Sequence, residues 1–104
     1  MGIMDELSLC DSVVKEMVAL GFNQNSINYV TSSKLFIGAK AESDVKQRSM
    51  LTLALYNVLI NSEEIVPSRI RLALNVAGDT TCWLDDIKLV ILPFLRVNEE
   101  KFFK

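Results

Sequence analysis

The sequence predicts an all-α fold: a compact bundle of about five helices with a buried central helix. Three observations lead there. Apolar residues recur at spacings of three and four along most of the chain. Gly21, Gly38, Gly78 and Pro67 fall at the boundaries between these stretches, where helices stop and start. One stretch, Met50 to Ile60, is apolar nearly all round, as a helix in the middle of a core would be. The 104 residues suit one domain with one core. No repeat, linker or low-complexity segment divides them, so 1–104 reads as a single helical domain.

The first helix is expected from Ser8 to Leu20, with Leu9, Val13, Met17 and Leu20 on one face. Asp5 or Ser8 can cap its start by accepting an orphan N–H. Gly21 stops it, because a left-handed residue after a helix carries no steric cost when it is glycine. A second helix fits from the Asn23 and Asn25 capping cluster to about Ser33. Its segment "INYVT" also suits a strand, which would pair with "KLFI" in a small hairpin. "KLFIGAKAESD" reads as a turn or loop pinned to the core by Phe36.

The third helix should run from near Ser43 to Ile60, polar at Lys46, Gln47 and Arg48 and then apolar on every side. Pro67 opens a fourth at its first turn, where its missing N–H costs nothing. Ile70, Ala73, Leu74 and Ala77 form its inner stripe, Gly78 stops it, and Asp79 or Thr81 caps the fifth segment. In that segment, "CWLDDIKLVILPFLRV", the residues Trp83, Ile87, Val90, Ile91 and Phe94 share a face. Asp85 and Asp86 suit the positive end of its dipole. Pro93 clashes with the carbonyl four residues back, so a kink or an early end is expected there.

Composition narrows the function. Half of the residues are hydrophobic and mean hydropathy is +0.27, so apolar surface is expected to remain outside a monomer core. Eleven basic and 13 acidic residues leave a net charge of −2. That gives no basic field to steer a phosphate backbone, and nucleic-acid binding is not expected. No apolar run is long enough to span a bilayer. Acidic Asp5 and Glu6 stand where a secretory leader would be positive, so a cytoplasmic or nuclear location is expected. Cys10 and Cys82 lie far apart without metal-site spacing, and both read as small, reduced core residues.

Little chemistry is visible. The absence of histidine removes the commonest general base and metal ligand. The scattered glycines form no phosphate loop. Neighbouring carboxylates in Asp85-Asp86, Glu63-Glu64 and Glu99-Glu100 point about 100° apart on a helix and do not face one site. Arg48, Arg69 and Arg71 carry no spacing that brings them together, and Trp83 reads as a core anchor. The expectation is therefore no enzyme, no metal and no cofactor.

Two stretches resemble known families. "VKEMVALGFNQNSINYV" resembles the first helix, loop and second helix of a ubiquitin-associated domain. Leu20, Gly21 and Phe22 would stand where that family has its Met-Gly-Phe loop, which implies a small ubiquitin or peptide reader. The resemblance covers that stretch alone, and a glycine stop after a helix also accounts for it. "LYNVLINSEEIVPSRIRLALNVAG" with Trp83 resembles the N-terminal helical dimerisation region of the acidic ribosomal stalk proteins. The family's alanine- and glycine-rich hinge and acidic tail are missing, so the resemblance implies only helices able to pair with another copy.

The function expected is a non-catalytic interaction or oligomerisation module. Its partner would be a protein or a second copy, held by an apolar helical face. Leu84, Leu92, Leu95, Phe102 and Phe103 are the candidate contact residues, because they fall partly off the inner stripes. Leu20, Gly21 and Phe22 are the alternative peptide-binding set.

Overall fold

A computed structural model describes residues 8–77 and 83–103. Among them the fold is all-α, with no strand. The Cα radius of gyration is 13.1 Å, that of a compact globule of about 100 residues. The expectations for Asp5, Gly78, Asp79, Thr81 and Cys82, and for the side chains of Ala77 and Trp83, lie outside the described residues.

α1 spans Leu9–Leu20. Ser8 caps it, its hydroxyl accepting the Asp11 amide at 3.1 Å. Gly21 closes it with φ 85°, in the left-handed region. The Gly21 amide bonds Val18 and the Phe22 amide bonds Met17, each at 3.1 Å. This double closure turns the chain back and drops Phe22 into the core. The buried face of α1 is Cys10, Val13 and Met17, with Leu9 and Leu20 half-buried at its edges.

α2, Gln24–Thr31, is a helix rather than half of a hairpin. Ile27 and Val30 supply its apolar contacts. α3, Lys34–Ala39, replaces the expected loop. Ser33 nucleates it, its hydroxyl accepting the Phe36 amide at 3.2 Å, and buried Phe36 and Ala39 fix it against α4.

α4, Asp44–Ile60, is the longest helix and packs against α1, α2, α3 and α5. Leu51, Leu55, Val58 and Leu59 are buried. The stretch from Met50 to Ile60 is apolar nearly all round but not buried all round: Leu53 and Ile60 face solvent, as does Val45 in the first half. Gln47, in its polar first half, is a core hub instead. Its Nε2 donates to the Ala39 carbonyl at 2.7 Å, and its Oε1 accepts the Cys10 amide at 3.2 Å. One side chain thus joins the start of α1, the end of α3 and α4.

α5, Ser68–Ala77, comes directly after Pro67. The Pro67 carbonyl accepts the amides of Ile70 and Arg71, so proline stands at the helix boundary. Ile70 and Leu74 are its buried stripe.

The last rod is α6 (Trp83–Asp86), a π-helical turn (Ile87–Ile91), α7 (Leu92–Val97) and α8 (Glu99–Phe102). The Leu92 amide donates to the Ile87 carbonyl, five residues back, instead of four. Pro93 explains why a wider turn sits there. It has no N–H for the Leu89 carbonyl, and its ring would collide with that carbonyl in an ordinary α-turn. The rod absorbs proline by widening, and Pro93 falls in the first turn of α7, where no donor is missed.

The extra residue shifts the inner face by one. An unbroken helix would place Ile87, Val90, Ile91 and Phe94 inside. The structure buries Ile87, Ile91, Leu92 and Leu95 completely, each 0% exposed. Val90 and Phe94 are only half-buried at the margin of the core. Two residues of the expected contact set, Leu92 and Leu95, are therefore core.

Candidate docking surface

The expected contact residues lie along the core side of the last rod rather than on its surface. Phe102 is buried and Leu84 is half-buried against the core. Phe103 stands edge-on between Phe22 and Tyr29, with ring centroids 5.9 and 5.7 Å away. With Leu92 and Leu95 enclosed, most of this set is core, and Phe102 and Phe103 close the end of the bundle beside Phe22, Tyr29 and Phe94.

The alternative set is also occupied from within. Phe22 is buried. The Arg96 Nε donates to the Leu20 carbonyl at 3.1 Å, and a Cβ added at Gly21 would lie 3.7 Å from that Nε. The Leu20-Gly21-Phe22 loop is thus the seam along which α1 and α7 are joined.

Glu99 completes that end. Its Oε2 accepts the Ser26 hydroxyl at 2.5 Å and the Asn23 amide at 2.7 Å. Its Oε1 lies 3.5 Å from Arg96 Nη1. A carboxylate taken from water is tolerable when donors surround it, and here they come from α2 and α7. Glu99 is a clamp between elements, and its neighbour Glu100 is exposed.

Among the described residues no group of three or more His, Cys, Asp or Glu could hold a metal ion. No helix there is long and apolar enough to cross a membrane. Burial pushes the Cys10 thiol above its usual range, away from the thiolate that would act as nucleophile or ligand.

One outward face of the rod is apolar. Leu89, Val90, Pro93, Phe94 and Val97 line an open groove of about 360 Å³, with Arg69 and Asn98. Leu89 is 74% exposed and Val97 83%, while Val90, Pro93 and Phe94 are half-buried. Leu89, Pro93 and Val97 follow one another in steps of four, with Val90 and Phe94 beside them, so they form one stripe on the outside of the rod. The π turn that takes Leu92 and Leu95 inward leaves Pro93 and Val97 in line with Leu89 on the outer side. Sequence reading missed it by assuming 3.6 residues per turn throughout. Pro93 was the available signal, because it marks where the period must fail.

Other exposed apolar residues are more scattered. On α4, Ser49 and Asn57 interrupt Val45, Leu53 and Ile60. Ile65 stands beside Glu63 and Glu64 in the loop after α4. Of Arg48, Arg69 and Arg71, Arg69 lines the groove, Arg71 lies about 200° round the same helix, and Arg48 is on α4. No family model, curated protein or solved structure matches the chain.

Proposed function

We propose that the chain is a non-catalytic protein-interaction module that docks through the outward face of its last rod. The observation that carries this reading is the contiguous groove from Leu89 to Val97, apolar along its floor and open to water. Burying apolar area is worth roughly 25 cal/mol per Å², and a contiguous apolar patch rimmed by polar groups is a common mark of a protein interface. Arg69 and Asn98 supply such a rim. A cytoplasmic or nuclear setting belongs to the same proposal.

The test is photocrosslinking in cells. A benzophenone amino acid replaces Leu89, and a control carries it at exposed Lys46 on α4. Covalent protein adducts at 89 and none at 46 are expected. Equal adduct patterns at both positions, or none at 89, would refute the reading.

A further inference from the structure

We infer that the groove between the C-terminal halves of α2 and α4 is a second docking site, and that its occupant is an extended, uncharged stretch of peptide chain. This groove shares no residue with the one on the rod and stands independently of the docking role proposed above.

Four polar groups there are left without partners at matching intervals. Tyr29 and Ser32 on α2, with Asn57 and Asn61 on and at the end of α4, line an open hollow of about 290 Å³. All four residues are exposed, and their side chains make no hydrogen bond among the described residues. Buried Ala54 and Val58 form the floor. Among the described residues, no charged side chain lines this hollow. Past Tyr29 and Asn61 it runs on into a second hollow of about 250 Å³ beside Ser62 and Lys101, which makes the whole a trough rather than a cup.

An asparagine carboxamide holds a donor and an acceptor side by side. That is the complement of the N–H and C=O that one residue of an extended chain presents along one edge. Asn57 and Asn61 are a turn apart, about 6 Å along the helix axis. An extended chain repeats its groups on one edge every second residue, about 6.7 Å. Asn57 therefore pairs with one peptide residue and Asn61 with the next but one. The residue between them turns its N–H and C=O to the other wall. There the Tyr29 and Ser32 hydroxyls, three positions apart on α2, can each donate or accept. Alternate side chains point down to Ala54 and Val58, whose short side chains leave depth for an apolar group. A helical ligand has its main-chain groups already paired and would leave the four side chains unanswered. A charged ligand finds no counter-charge beside them.

Phage-displayed linear peptides test this. They are selected on the purified full chain after depletion on the Asn57→Ala/Asn61→Ala double variant. Peptides that survive depletion are expected. Asn57→Ala and Asn61→Ala should each weaken their binding about tenfold, the loss of up to two neutral hydrogen bonds. Asn57→Asp should weaken it comparably, because a carboxylate keeps the shape and cannot donate. N-methylation along the peptide main chain should abolish binding at alternate residues of the clamped stretch. Leu89→Ser, in the rod groove, should leave the affinity unchanged. The substituted side chains are exposed, and circular dichroism on each variant checks that the fold is intact. No surviving peptide would overturn the inference, as would survivors indifferent to the single changes or survivors bound as helices. None of these results bears on the adducts expected at position 89, so the two sites stand or fall separately.

Discussion

Gln47 shows how much one polar side chain can carry when it is buried. It was legible only as part of a polar helix start, between Lys46 and Arg48, because sequence gives no hint that its amide reaches two backbone groups. Truncation leaves the Cys10 amide and the Ala39 carbonyl without their partner. Each stranded polar group costs about 1–3 kcal/mol. Gln47→Ala should therefore lower stability by about 2 kcal/mol or more, read as a lower denaturation midpoint with an unchanged slope. Gln47→Glu should not rescue it, since a carboxylate cannot donate to Ala39. Glu99 is a similar case: Glu99-Glu100 reads as a solvated pair in sequence, yet only Glu100 is exposed. Contacts across 73 and 76 residues of chain leave no local pattern.

At the scale of elements, caps and stops were the legible signals. Ser8, Gly21, Ser43 and Pro67 stand at the boundaries where the sequence puts them. Two features were not legible. α3 is six residues long, too short for periodicity to declare it, although Ser33 ahead of Phe36 is a cap in hindsight. The π turn is the larger miss, because one inserted residue rotates the rest of the rod by about 100°, which takes Leu92 and Leu95 into the core and Phe94 to its margin. The rotation has an energetic signature. Leu95→Ala removes a fully enclosed side chain and should cost about 2–5 kcal/mol. Leu89→Ser or Val97→Ser, on the outer face, should change monomer stability by no more than about 0.5 kcal/mol. Thermal unfolding at low protein concentration measures both. Equal losses at 95 and 89 would contradict the enclosure of Leu95 and the exposure of Leu89.

For the whole molecule, the helical class and single core come from spacing and punctuation, and the apolar excess comes from composition. The location of that excess does not. The bundle turns the Phe22, Phe102 and Phe103 end inward and leaves the Leu89 to Val97 groove outward. That result depends on how the rod, α1 and α5 pack, and no stretch of sequence holds it. The proposed docking face depends on the rod pointing Leu92 and Leu95 to the core and Leu89 and Val97 to water. Thiol modification rates read that arrangement position by position. Leu89→Cys, Leu92→Cys, Leu95→Cys and Val97→Cys are made singly and labelled in dilute native protein, with the modified site identified by peptide mass. Fast labelling is expected at 89 and 97, with protection at 92 and 95 until the chain unfolds. Protection at 89 and 97 with fast labelling at 92 and 95 would rule out the widened turn and the docking face together.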